Sequence, residues 1–165
     1  MPSRLAIRHF PDSILRRVSE PVRTVDRQTR IFIDQLIKFM KCQPGGIGIA
    51  APQVGVPRQI AIVDASAKVP GAKLLVLINP VITTFEHEAI FREGCMSLPD
   101  FTANVRRAEK IKFEWRDIHF KKQEHITSGL EARCVQHEID HLNGFLFVDR
   151  VVSLKTDVFR RKRYL

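Results

Sequence analysis

The sequence predicts an α+β protein, on three observations. Two segments carry helical periodicity with recognisable ends, 24–40 and 128–144, and they stand far apart in the chain. Short runs rich in β-branched and aromatic residues fill the interval between them. Those runs follow one another without intervening helices, so they do not read as the alternating βαβ units of a parallel sheet. A chain of 165 residues is expected to form one domain, 1–165.

The elements follow in order. Pro11-Asp12 opens a helical turn, with Ile14, Leu15 and Val18 as its apolar face and Pro21 as its stop. In 24–40, Ile31, Phe32, Ile33, Leu36, Phe39 and Met40 recur at helical spacing, while Arg27, Arg30, Asp34 and Lys38 are spaced to face water. Pro44-Gly45-Gly46 ends that helix. The stretch 46–55 has the outline of a Gly-x-Gly-x-x-Ala dinucleotide loop. It follows a helix rather than a strand, and Pro52 sits where a phosphate-binding helix would run. The better reading is a small-residue strip that lets another backbone come close, with Gln53 offering an amide at its end. A turn without a ligand is the alternative. Segments 59–64 and 73–79 read as strands around the turn Val69-Pro70-Gly71, and 81–85 with 87–91 as short strands or a hairpin. Val105 and 111–115 extend the sheet, and a further strand lies near 120–126. After the second helix comes a short apolar piece, 145–148, and then 153–165, which has the length for a helix and a basic end, Arg160-Arg161-Lys162-Arg163, that reads equally as a solvated tail or as a docking surface for RNA.

The segment 128–144 carries the chemistry. Ser128 and Glu131 have the spacing of a capping box, and Asn143-Gly144 that of a helix stop. Inside lies His137-Glu138-Ile139-Asp140-His141. Residues four apart share a helix face, so two imidazoles can bind one divalent metal, and Glu138 is placed to handle a proton of the attacking water. Paired exposed histidines without a ligand are the plainer alternative. Two histidines leave a catalytic site one protein ligand short. Cys95, in Glu93-Gly94-Cys95-Met96-Ser97-Leu98-Pro99, supplies a thiol just after a predicted strand, although a lone cysteine is most often a small buried apolar residue. Cys95, His137 and His141 together keep one position open and suit iron(II), nickel, cobalt or zinc. His9, His87, His119 and His125 have no partner at ligand spacing.

Composition narrows the surroundings. The net charge is +9 with a pI near 9.9, which favours a polyanionic neighbourhood such as RNA or simply a basic soluble protein. Three scattered cysteines make no disulfide framework, so a reducing compartment is expected. The N-terminal residues lack the apolar core of a secretory signal, and no apolar run approaches a membrane span.

In order and spacing, 46–53, 93–99 and 136–144 resemble the three signature motifs of the peptide deformylases. The segment 6–16 resembles the start of that family, and the likeness fades after about residue 150. The resemblance implies a metallo-hydrolase that removes the formyl group from formyl-methionine of nascent polypeptides and releases formate. It implies antiparallel sheets around the metal-bearing helix, and one metal ion, Fe2+ in most members. It assigns Cys95, His137 and His141 to the metal, Glu138 to proton transfer, and the Gln53 side chain with the Met96 backbone N–H to the formyl oxygen. Ile47, Gly48 and Ile49 would run along the substrate, with Glu93, Leu130, Arg133 and Cys134 around its side chain. The implied partners are N-formyl-methionyl peptides in a bacterial cytoplasm or an organelle, and the ribosome through the basic tail. The alternatives are a deformylase-like paralogue with a reshaped pocket, or a basic ribosome-associated protein whose site is vestigial.

Departures from the family pattern fall mostly on conservative swaps at Ile49, Met96 and Leu98. Arg133 stands where relatives tend to be apolar, on the same helix stripe as the two histidines, so altered side-chain preference is expected. Thr102 replaces an arginine that some bacterial members carry. Glu93 and Arg107 are expected to pair and brace the cysteine loop, and Asp140, off the ligand face, to be structural.

Overall fold

Asp26 starts the first helix, α1 (Arg27–Lys41), its Oδ1 accepting the Thr29 N–H at 2.8 Å. The computed structural model describes residues 5–162. Ile33, Leu36 and Met40 turn inward from α1, whereas Ile31, expected on that face, is exposed. The earlier helical turn is a 3-10 turn at Ser13–Arg16, capped by Asp12. Leu15 is buried there, but Val18 lies in water.

Six strands follow among the described residues: β1 (Gly48–Ala50), β2 (Ile60–Val63), β3 (Leu75–Cys95), β4 (Leu98–Arg116), β5 (Lys122–Ser128) and β6 (Val158–Arg160). They pair antiparallel in the order β1-β2-β3-β4-β5, with β6 on β4. The three segments read separately from the sequence as 73–79, 81–85 and 87–91 are one long strand, β3. It survives its turn-like residues by bulging. Asn79 takes φ of 50°, the register shifts between Ile78 and Val81, and Pro80 sits in that bulge. The Asn79 side chain also clasps Val22, accepting its N–H and donating to its carbonyl, both at 2.8 Å.

The second helix, α2 (Gly129–Leu142), is buried around most of its circumference. Ala132, Val135, Ile139 and Leu142 pack with Ala61, Val63, Leu77, Ile111 and Phe113 of the sheet. A second apolar cluster joins α1 to β1 and β2, and a third joins Leu15, Leu98, Val105 and Phe147. The expected capping box does not form. Ser128 remains in the β4–β5 ladder opposite Lys110, so its side chain caps nothing, and Glu131 lies 3.1 Å from His125 Nε2 instead. The apolar piece at 145–148 overlaps a 3-10 turn, Phe147–Arg150.

The described part of 153–165 does not take the helix that the sequence allowed. Residues 158–160 form β6 against Phe101–Ala103, and 163–165 lie outside the described residues. Val158 packs on the third cluster and Phe159 receives the Arg92 guanidinium on its ring, so ladder and packing outweigh any helical tendency. Among the described residues, no helix is long and apolar enough to cross a membrane.

Candidate metal centre and cleft

Three ligand atoms, one each from Cys95, His137 and His141, lie within 4.8 Å of one another. Cys95 is the last residue of β3, and the β3–β4 turn swings it towards α2, where the two histidines share a face. Cys95 Sγ is 3.3 Å from His141 Nε2. It accepts the Ser97 N–H at 3.4 Å and a Gln53 Nε2 hydrogen at 3.5 Å. Burial opposes ionisation of this thiol, but the two histidines outweigh it and hold Cys95 well below the usual thiol range. A thiolate beside two imidazoles suits a borderline-soft divalent cation.

The surroundings aim those ligands. Arg107, almost fully buried, donates to both Glu93 oxygens at 2.8 and 3.0 Å and to Asp140 Oδ2 at 2.5 Å. Arg150 closes the far side of Asp140 at 2.7 and 3.1 Å. Glu93 also meets His137 Nδ1 at 2.9 Å. Burial would raise the Glu93 pKa, but hydrogen bonds from His137 and Arg107 lower it to about 2. Glu93 therefore accepts the Nδ1 hydrogen of His137 and leaves Nε2 to the metal side. Glu93 and Arg107 pair as expected, and Asp140 is the third member of the same network.

Glu138 sits in the wall, 5% exposed. Burial lifts its pKa to about 7 against the attraction of His137 and His141. Its Oε2 has no hydrogen-bond partner among the described residues, nor does His141 Nδ1. A buried polar oxygen that the protein leaves unpaired calls for an explanation, such as a catalytic role, an ordered water or an ion. Gln53 is fixed from both ends. Its Oε1 accepts the Ala50 N–H at 3.0 Å, and its Nε2 donates to Ser97 Oγ at 3.2 Å as well as towards Cys95.

The glycine strip has a sharper reason than the expected backbone approach. A Cβ at Gly48 would stand 2.5 Å from Glu138 Oε1, so the strip makes room for that carboxylate. β1 hydrogen-bonds to β2 alone among the described strands, which leaves its other edge open to the cleft. The cleft has a volume of about 210 Å3 and brings Ile47, Gly48, Gln53 and Glu93 together with Met96, Leu130, Arg133, Cys134 and Glu138. Ile49 does not join them: its side chain is fully buried in the cluster with α1. Cys134 is wall and core at once, and burial pushes its thiol up to about 12, which makes it inert. A larger groove of about 880 Å3 lies along the other side of α2, near Phe85, Gln136 and Arg150. Its charges are paired, Arg106 with Glu88, Glu86 with Lys110 and Arg107 with Asp140, and the Cys95 and His137 side chains line the smaller cleft instead. Sequence reasoning missed Ser97, Arg150 and Arg92 at the site. Ser97 and Arg92 border named residues; Arg150 reaches Asp140 across ten positions with no local pattern to announce it.

Known proteins resemble this chain over most of its length. The profile of the family described as polypeptide deformylase matches residues 4–157. A peptide deformylase of Thermodesulfovibrio yellowstonii is 41% identical over 158 residues, covering 96% of this chain and 95% of that protein. One from Alkalilimnicola ehrlichii is 45% identical, covering 93% of this chain and 85% of that protein. Among solved structures, a peptide deformylase from Synechococcus elongatus in complex with actinonin superposes with a TM-score of 0.84 at 38% identity, over 92% of this chain and 80% of that one. The Legionella pneumophila peptide deformylase gives 0.84 at 38% identity, over 92% and 88%. The chain belongs to the polypeptide deformylase family.

Proposed function

We propose that this protein removes the N-formyl group from formyl-methionyl ends of nascent polypeptides and releases formate. The observation that carries the reading is the convergence of the Cys95, His137 and His141 ligand atoms beside the unpartnered Glu138 oxygen and the Gln53 amide. Cys95, His137 and His141 are the residues that would hold a divalent cation, with iron(II) as the proposed metal and nickel, cobalt or zinc as substitutes. When bound there, the cation supplies Lewis acidity that makes water nucleophilic near neutral pH.

The chain's own groups supply the rest. Glu138, with a pKa of about 7, takes a proton from the attacking water and returns it to the departing amine nitrogen as the formyl C–N bond breaks. Gln53 Nε2 and the Met96 N–H donate to the negative charge that grows on the formyl oxygen. The open edge of β1 at Gly48 offers strand-like pairing to the peptide, and Leu130 with Cys134 offers apolar wall to the methionine side chain. The net charge of +9 and the basic residues Arg160, Arg161 and Lys162 support a ribosome contact near the nascent chain, in the cytoplasm or an organelle.

Two measurements test this. Purified without air, the protein is expected to carry one metal per chain and to release formate from formyl-Met-Ala-Ser. A chelator should abolish release and iron(II) or nickel should restore it. Metal-loaded protein that releases no formate would overturn the reading. Gly48→Ala would push the Glu138 carboxylate aside. Since misplacement of a catalytic group by about 1 Å can cost roughly 100-fold, kcat for formate release should fall by about that factor with metal content unchanged. Unaltered turnover would show that the carboxylate has room to move.

A further inference from the structure

This inference rests on the reading of Cys95, His137 and His141 as metal ligands, and it concerns what holds the cysteine in place. His137 is aimed by Glu93 at 2.9 Å. Cys95 stands at the end of β3, where the register with β4 slips between Gly94 and Cys95. A bulge releases a residue from its ladder and re-aims its side chain, so the position of that residue depends on what packs around it. Residues 158–161 do much of that packing.

β6 lies on the edge of β4 that faces away from β3. Thr102 pairs with Gly94 on one side and with Phe159 on the other, and Ala103 pairs likewise with Glu93 and Val158. The strand is tied at both ends. The Asn104 N–H donates to the Asp157 carbonyl and the Arg161 N–H to the Asp100 carbonyl, each at 2.8 Å. Its side chains then reach across β4 to β3. Phe159 takes the Arg92 guanidinium on its ring at 3.9 Å, while Arg92 Nε donates to Asn104 at 2.9 Å. The Arg161 guanidinium occupies the space that a side chain at Gly94 would fill, so it covers the residue just before Cys95. On the other face of the sheet, Val158 packs on the apolar cluster that contains Cys95, Leu98 and Ala103. Both faces of β6 therefore grip the end of β3. The family profile matches this chain as far as residue 157, so the gripping residues lie outside the matched segment.

We propose that Phe159 and Arg161 are positioning residues for the metal centre: they keep the Cys95 thiolate aimed at the space it shares with His137 and His141, and so set how tightly a divalent cation is held. Co2+ is the probe, because a thiolate bound to it gives a near-ultraviolet charge-transfer band that histidines alone do not. Competition with a chelator measures its dissociation constant in wild type, Phe159→Ala, Arg161→Ala, Phe159→Tyr and Ile33→Val. Groups that orient ligands without touching the metal commonly change affinity by about 10–100-fold. Each alanine variant should bind Co2+ at least about tenfold more weakly than wild type, with the thiolate band weakened or shifted. Phe159→Tyr keeps the ring under Arg92 and should bind as wild type does. Ile33→Val lowers stability from the α1 cluster, which does not contain Cys95, and should leave constant and band unchanged. Alanine variants that match wild type in both would overturn the inference, and so would Ile33→Val weakening binding as much as they do. If Phe159→Ala does not fold, Phe159→Leu, which keeps apolar bulk and loses the ring face, is judged by the same outcomes. Wild type that shows no thiolate band with Co2+ would instead overturn the metal-centre reading, and this inference with it.

Discussion

Glu138→Gln is expected to lower kcat for formate release by about 10²–10⁴-fold, the range that positioned general acid–base groups contribute. KM and metal content should stay near wild type. The substitution keeps the shape of the side chain and its buried position against Gly48, while removing a group whose pKa of about 7 lets it hold or give a proton near neutrality. Steady-state assays with metal analysis of the same preparation check this. A fall of less than tenfold would assign the proton transfers to another group.

Arg107→Met is expected to destabilise the fold by about 3–5 kcal/mol, because removing one partner of a buried ion pair leaves charge uncompensated. For a chain of this size that is a fall in Tm of roughly 6–20 °C, at about 2–4 °C per kcal/mol. Methionine approximates the volume of the arginine stem, so the loss reports the charge network rather than a cavity. The same network fixes the acid response. The Glu93 pKa is depressed from 4.5 to about 2, so its contribution is fully present above pH 4.5 and is lost as pH falls towards 2. That loss amounts to about 3 kcal/mol in metal-free protein, at about 1.4 kcal/mol per pKa unit. In Arg107→Met the Glu93 pKa rises, so the acid limb of the stability curve should move to higher pH. Thermal melts of both proteins between pH 3 and 7 would show it. Coincident curves would mean that Arg107 is not the group holding Glu93 ionised.

Much of the site was legible in the residues because its parts are local. The histidine pair with its glutamate, the cysteine turn and the glycine strip are each short patterns, and the structure assembles them without rearrangement. The fold was legible at its helices and blurred in its sheet. Asn79, Pro80 and His87 look like strand ends, yet a bulge at Asn79 and Pro80 and positive φ at Asn79 and His87 carry β3 on through them. The tail failed for the same class of reason, since only the ladder with Phe101–Ala103 decides between helix and strand there. The capping box at Ser128 and Glu131 had the right spacing, but a strand claimed Ser128 first. Long-range charge, such as Arg150 on Asp140, leaves no periodic trace at all.

The burial of α2 also limits where this enzyme can change. Its middle and end are committed to the core, the candidate ligands and the charge network, so nearly every substitution there touches stability or the proposed chemistry. Its first turns are different, for Leu130 and Arg133 face the cleft without bearing a ligand. Evolutionary drift in what the enzyme accepts is therefore channelled into one short stretch, where variation is tolerated and selection can see it.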